Sequence, residues 1–210
     1  MSYKIVLWDF NGTIIDDVET GIACVNTMLA KRGLPILRTR EEYKRVFGFP
    51  VEDYYRRVGF DFDKEPYSVL AHEWVALYRA REAQIPLTED FITVCAALRE
   101  KGIAQAVLSS TEQTMLEKQI SQYGLTEYFG KIIGTSDIYA GGKIGTAKAV
   151  FGTNLRDAVM VGDTVHDAAT ARAIGAECIL FAGGHGRADE LRATSFPVIE
   201  KMTDLLRYFP

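Results

Sequence analysis

Asp9 follows four consecutive apolar residues, Ile5, Val6, Leu7 and Trp8, and is followed by Asn11-Gly12-Thr13. Ser109 ends a second apolar run, Lys143 follows a pair of glycines, and Asp163 and Asp167 follow a third run at 158–161. If these runs are parallel strands, their carboxyl ends share one sheet edge, so three carboxylates, a hydroxyl and an ammonium converge there. Carboxylates a few ångströms apart raise one another's pKa, and a hard divalent ion with oxygen ligands relieves that repulsion. Mg²⁺ suits such a cluster because it takes a few carboxylates, keeps waters and engages substrate phosphate. Lys143 supplies the remaining positive charge.

Each residue also has a plainer reading. Asn11-Gly12 between apolar runs is a good type I′ hairpin signal, with Asp9 solvating the turn. Asp163 and Asp167 suit a helix N-terminus, where the dipole favours acids. Ser109 can be a turn residue, and Lys148 competes with Lys143 for the cationic role. His166 is expected at the surface, His72 in a structural place on a helix, and Gly183-Gly184-His185-Gly186 either as a backbone donor to phosphate or as a flexible loop.

The elements that must position these groups are legible from periodicity. The run at Ile5 lacks polar alternation, as expected of a parallel strand buried on both faces. After it, Val18, Ile22, Val25 and Leu29 recur at helical spacing up to Gly33 and Pro35. Thr39-Arg40-Glu41-Glu42 is a capping box opening a second helix, a third follows Pro50, and a fourth follows Pro66 with Leu70, Trp74, Leu77 and Tyr78 on one face. Residues 16–85 thus read as an all-helical insertion. From Thr88 helices and strands alternate: a helix carrying Ile92, Cys95 and Leu98, strands at 104–108, 131–133, 158–161 and 178–181, a loop at 140–143, and two short terminal helices.

The 210 residues allow one large domain or a core domain with an insertion, and 48% hydrophobic with 25% charged residues is ordinary globular composition. A formal net charge of -4 without a basic cluster argues against nucleic acid and membrane surfaces. No apolar stretch approaches the ~18 residues of a membrane span and the first strand begins almost at once, so a cytoplasmic protein is expected. Cys24, Cys95 and Cys178 are read as reduced core residues, with a catalytic cysteine disfavoured.

Asp9-Phe10-Asn11-Gly12-Thr13-Ile14-Ile15-Asp16, then Val107-Leu108-Ser109, then Lys143, then Gly162-Asp163 with Asp167 resembles the haloacid dehalogenase-like hydrolases. The order of motifs covers nearly the whole chain, and helices directly after the first motif resemble the C1-capped members, phosphoglycolate phosphatases among them. The resemblance implies an α/β fold: a Rossmann-like parallel sheet formed by 1–15 and 86–210, with an all-helical cap at 16–85. It implies a phosphomonoesterase in which Asp9 is the nucleophile forming an aspartyl-phosphate. Mg²⁺ would be held by Asp9, the Asn11 carbonyl, Asp163 and Asp167, the last as a direct ligand or one step removed. Ser109 and Lys143 would bind and neutralise the phosphoryl group, with Ser110 and the backbone amides of Phe10 and Asn11 as further donors. The cap would select the leaving group through residues around Phe47-Gly48-Phe49-Pro50 and Arg56-Arg57, where Arg56 could clamp a carboxylate, although a solvated helix face is the commoner role. The expected partner is a small phosphorylated metabolite, phosphoglycolate by analogy, and the expected assembly is a monomer or homodimer.

One position departs from the pattern. The family's usual Asp-x-Asp carries its general acid/base at the second aspartate, where this chain has Asn11, and loss of such a group lowers rate by about 10² to 10⁴. Four explanations stand at this level: a leaving group needing little protonation, such as an acyl phosphate or a phosphonate; a water or cap residue taking over; deamidation at Asn11-Gly12; or an engineered change. A phosphonatase-like activity requires a cap lysine, for which Lys44 is the candidate. A degenerate phosphate-ester-binding module is the non-enzymatic alternative. The metal-independent dehalogenases fit badly, since Asp163 and Asp167 are both kept.

Overall fold

The computed structural model describes residues 3–139 and 142–210. In chain order it contains β1 (Ile5–Trp8), α1 (Val18–Lys31), α2 (Arg40–Val46), α3 (Val51–Arg57) and α4 (Tyr67–Arg79). These are followed by α5 (Phe91–Glu100), β2 (Ala104–Glu112), α6 (Gln113–Gln122), β3 (Lys131–Thr135), α7 (Lys143–Phe151) and β4 (Ala158–Gly162). The chain closes with α8 (Val165–Ile174), β5 (Glu177–Phe181), α9 (Ala188–Ala193), β6 (Val198–Ile199) and a 3-10 segment, Met202–Tyr208.

The six strands form one sheet in the order β3-β2-β1-β4-β5-β6, and every pairing is parallel. β1 lies between β2 and β4, which excludes the hairpin reading of Asn11-Gly12 and puts Asp9 where the strand order reverses. Ligands bind at such a point in open α/β sheets because the adjoining connections run to opposite faces and leave a crevice. β1 is apolar throughout because both its faces are covered. Val6 and Trp8 pack with α5 and α6 residues such as Phe91 and Leu116. Leu7 packs on the other face with α7 and α8 residues such as Ala147 and Ala171. Among the polar groups under the site, Trp8 Nε1 donates to Gln105 Oε1 at 3.0 Å.

The four helices α1 to α4 bury a third cluster of their own, including Val25, Leu29, Tyr54 and Leu70. Thr39 caps α2 by accepting from the Glu42 amide. The two chain crossings that join these helices to the sheet lie side by side: the Asp16 amide donates to Pro86 O at 3.0 Å and the Thr88 amide to Ile14 O at 2.9 Å.

Several sequence expectations require correction. Ile92 is exposed, and Phe91, Val94, Cys95 and Leu98 form the buried stripe of α5. β2 continues past Leu108 to Glu112 with a register shift against β3; a bulge of this kind re-aims polar side chains beside a site without ending the strand. α7 begins at Lys143 itself, and the loop expected at 140–143 begins on Ala140 and Gly141, outside the described residues. β6 was not legible at two residues long. The three cysteines are free and buried, as expected. Among the described residues no helix is long and apolar enough to cross a membrane.

Candidate active site

Each chemical group stands on a strand end or a first helical turn. Asp9 directly follows β1, and its amide donates to Val161 O of β4 at 2.8 Å, so the backbone that carries it is still held by the sheet. Asp163 follows β4, Asp167 lies in the first turn of α8, and Lys143 opens α7. One carboxylate oxygen from each of Asp9, Asp163 and Asp167 lies within 4.8 Å of the other two, and all three residues are buried. Lys143 is 1% exposed, and its Nζ donates to Asp9 Oδ1 and, at 2.5 Å, to Asp167 Oδ1.

Asp167 has both oxygens engaged, because Oδ2 accepts from the Thr164 amide at 3.0 Å and the Thr164 hydroxyl at 2.8 Å. It therefore caps α8 and fixes Lys143 at once. Asp163 Oδ2 accepts from the His185 amide at 2.6 Å, and its Oδ1 from Thr13 Oγ1 at 3.4 Å. Room for this packing comes from Gly12, at φ +72°, and Gly184: a Cβ on either would collide with the Asp163 carboxylate.

Three carboxylates face one ammonium, and the imbalance is unevenly shared. Burial works against charge on Asp167, yet Lys143 holds that carboxyl below the usual range. The two carboxylates in turn hold Lys143 charged against burial. Burial pushes the Asp9 carboxyl well above the usual range against the pull of Lys143, with Asp167 and Asp163 adding repulsion. Burial likewise pushes Asp163 up to about 6, opposed by His185. The uncompensated negative charge thus falls on Asp9 and Asp163, and an all-oxygen set of this kind fits a hard divalent cation.

Asn11 is tied on every side. Its Nδ2 donates to Asp17 Oδ2 at 2.8 Å and to the Tyr78 hydroxyl at 2.9 Å, while its Oδ1 accepts from Thr111 Oγ1 at 2.9 Å. Asp17 accepts in addition from the Gly12 amide at 2.7 Å, from Tyr78 at 2.8 Å and from His185 Nε2 at 3.0 Å. The His185 Nδ1 is 2.7 Å from the Tyr43 hydroxyl. Burial opposes both charges of the Asp17–His185 pair, but each partner overrides it, so the carboxyl is lowered and the imidazole raised. An acid therefore does sit beside residue 11, six residues along the chain and spent on four hydrogen bonds.

Ser109 is buried with its Oγ donating to Thr111 Oγ1 at 3.0 Å, and Ser110 Oγ is buried without a partner among the described residues. Both line one cavity with Asp9, Asn11, Lys143, Asp163 and Asp167. Phe10 is fully buried, its carbonyl accepting from Ile14 at 2.9 Å. Arg56 stands apart: it is exposed, its Nη1 donates to Asp53 Oδ1 at 3.0 Å, and its guanidinium covers Phe62 at 4.6 Å. It pairs within its own helix face, and so does not reach the cavity. Lys148 is exposed, as is His72. His166 is half-buried rather than exposed, because its ring stacks on Phe49 at 4.5 Å. Lys44 donates to Ala182 O at 3.3 Å and is not among the cavity residues.

Sequence reasoning missed Asp17, Tyr43, Tyr78 and Thr111, and left His185 in a loop. The signal available was the doubled acid Asp16-Asp17 and the polar run Ser109-Ser110-Thr111.

Comparison with known proteins agrees with this geometry. The chain is 28% identical over 203 residues to the tyrosine-protein kinase PtkA of Mycobacterium tuberculosis, covering 94% of this chain and 68% of that one. A solved PtkA structure superposes with a TM-score of 0.80 at 26% identity, covering 98% of this chain and 97% of the other. A phosphoglycolate phosphatase of Caulobacter vibrioides is 25% identical, covering 86% of this chain and 79% of that protein. With residues 6–181 matching the profile of haloacid dehalogenase-like hydrolases, this chain belongs to that family.

Proposed function

We propose that this protein is a Mg²⁺-dependent hydrolase of small phosphate monoesters that works through an aspartyl-phosphate on Asp9, with residues 16–85 acting as its cap domain. The observation that carries the reading is the buried constellation of Asp9, Asp163, Asp167 and Lys143 at the strand-order reversal. The names of the relatives, a tyrosine-protein kinase and a phosphoglycolate phosphatase, have the phosphoryl group in common.

Asp9, Asp163 and the Asn11 carbonyl are the groups that would hold Mg²⁺. When bound, the ion screens the carboxylates and draws charge from the phosphoryl oxygens. Asp167, with both oxygens occupied, positions Lys143. An Asp9 oxygen attacks phosphorus, the bond to the ester oxygen breaks, and its electron pair leaves with that oxygen. Lys143 offsets negative charge shared by Asp9 and the phosphoryl group, Ser110 supplies an unpartnered hydroxyl donor, and Ser109 becomes one by turning its hydroxyl from Thr111. Water then attacks the same phosphorus, restoring the Asp9 carboxylate and releasing inorganic phosphate. Asn11 has no proton to give or site to take one, so this second step is expected to be slow.

The test is hydrolysis of p-nitrophenyl phosphate and acetyl phosphate with and without Mg²⁺, beside Asp9→Asn. Metal-dependent turnover that Asp9→Asn abolishes supports the reading. Binding of a phosphate ester with no turnover on either substrate would favour a binding module instead. The phosphonatase-like alternative loses its Schiff-base candidate, since Lys44 is turned onto the Ala182 carbonyl.

A further inference from the structure

The hydrolase reading leaves the leaving group unnamed, and the cavity bears on it. Its wall from the helical insert is aromatic: Tyr43, Phe47, Phe49, Tyr54, Trp74 and Tyr78 all line it. Trp74 and Tyr78 stack at 4.8 Å with an interplanar angle of 23°. The whole cavity, the phosphoryl end included, measures about 160 Å³, so beside the ~150 Å³ that admits one benzene ring in an apolar core it leaves room for no body larger than a single ring.

Two of the three lining residues among those described that can carry positive charge are hydrogen-bonded to acids, and the third lies flat on a ring. Lys143 serves Asp9 and Asp167, His185 lies between Asp17 and Tyr43, and His166 is stacked on Phe49. Two cap cations outside the lining point elsewhere, with Arg40 donating to Gly183 O at 2.9 Å and Lys44 to Ala182 O. The acids that line the cavity beyond the phosphoryl cluster are engaged too, Asp17 with His185 and Asn11 and Glu112 with the first amides of α6. A substrate carboxylate would meet mostly rings there, with only the His166 imidazole left to face it, which makes glycolate a poorer fit than an apolar body. Besides Ser110 Oγ, one neutral polar group on the cap side is available: Tyr54 Oη is buried without a partner among the described residues.

We propose that the substrate is a phosphate ester of a phenol or enol, with a single ring or comparably flat apolar body and no charge beyond the phosphoryl group. This rests on the hydrolase reading and refines it. Asn11 points the same way by an independent route. An aryl oxygen leaves as a phenolate whose conjugate acid has a pKa of about 10, whereas an alkoxide is closer to hydroxide, whose parent water lies near ~16. The phenolate departs without a proton from residue 11 and takes one from solvent afterwards. The ester plus water gives phenol plus inorganic phosphate, and Asp9 is regenerated.

The experiment uses the full chain with Mg²⁺ and separates recognition from reactivity. Benzylphosphonate and phosphonoacetate, which are not hydrolysed in this way, are compared as competitive inhibitors. Phenyl phosphate, butyl phosphate, phosphoglycolate and acetyl phosphate are compared as substrates. Benzylphosphonate is expected to inhibit at concentrations at least about tenfold below phosphonoacetate. The kcat/KM for phenyl phosphate is expected to exceed that for butyl phosphate by about 10², with a burst of phenol before a slower steady state. Phe47→Arg or Phe49→Arg, each adding a cation to the wall, should reverse the inhibitor preference. Mg²⁺-dependent turnover with phosphonoacetate or phosphoglycolate preferred overturns this proposal and leaves the hydrolase standing. Absence of turnover on every phosphate, acetyl phosphate included, overturns both.

Discussion

The floor and the roof of the cavity are built on opposite principles. The floor is charge paired with charge: Asp9, Asp163, Asp167 and Lys143 are buried, and each is anchored by a strand end or a first helical turn. The roof is ring against ring, carried by helices that have their own apolar cluster and an Arg32–Glu65–Glu73 ion-pair group on their outer side. Between them runs one buried polar seam, Tyr43–His185–Asp17–Asn11–Tyr78, in which residues of the insert meet residues of the sheet edge. The charged groups of the sheet edge and the rings of the insert are thus separate sets of residues that meet only through the seam.

The largest effect should come from the floor. Asp9→Asn is expected to reduce Mg²⁺-dependent phosphate release by at least about 10⁴-fold, and phosphate release followed continuously would check it. Lys143→Met leaves Asp9 and Asp167 as buried charges without their cation. It should lower stability by about 3 kcal/mol in metal-free buffer, part of which added Mg²⁺ restores; urea unfolding in both buffers measures this.

The seam comes next. Asn11→Asp would set a second carboxylate 2.8 Å from Asp17 Oδ2, so one of the two must stay protonated or the contact must open. A loss of about 1 to 3 kcal/mol is expected, and Asn11→Asp with Asp17→Asn should recover most of it. The thermal unfolding of the two single variants and the double forms the cycle that decides the point.

The smallest effect belongs to the outside of the roof. Glu73→Gln should lower stability by about 0.5 to 1 kcal/mol. The hydrogen bonds from Arg32 hold Glu65 and Glu73 below the usual glutamate range. A lowered folded value means their contribution is present above the unfolded pKa of about 4.5 and is lost as pH falls through the lowered values. The gap between wild type and Glu73→Gln at neutral pH should therefore close in acid, which circular dichroism melts at a series of pH values would show.

How much was legible follows from how local each signal is. β1 could be read because a strand buried on both faces leaves an uninterrupted apolar run, and Asp9 could be placed because it sits one residue beyond it. The same holds for Asp163 after β4. Arg56 had two readings because the sequence does not give the rotational phase of a short helix, and that phase put it on the solvated face beside Asp53 and Phe62 and not in the cavity. Ile92 failed by one position for the same reason. The end of β2 was set too early because Ser109-Ser110-Thr111 is polar, while a bulged strand beside a site keeps its ladder through polar residues.

By itself the sequence determined the parallel sheet, the helical insert and the four groups of the floor, since strand, cap and motif signals act over a few residues and their common sheet edge follows from parallel connectivity. Only the tertiary structure decided what Asn11 means. Asp17 reaches it from six residues away, Tyr78 from 67 and Thr111 from 100, while His185 reaches Asp17 across 168. Hydrogen bonds of that span depend on how the insert lies over the sheet, and no local pattern encodes that placement. The same packing turned the aromatic residues of the helical insert from an anonymous helical core into the wall of a cavity.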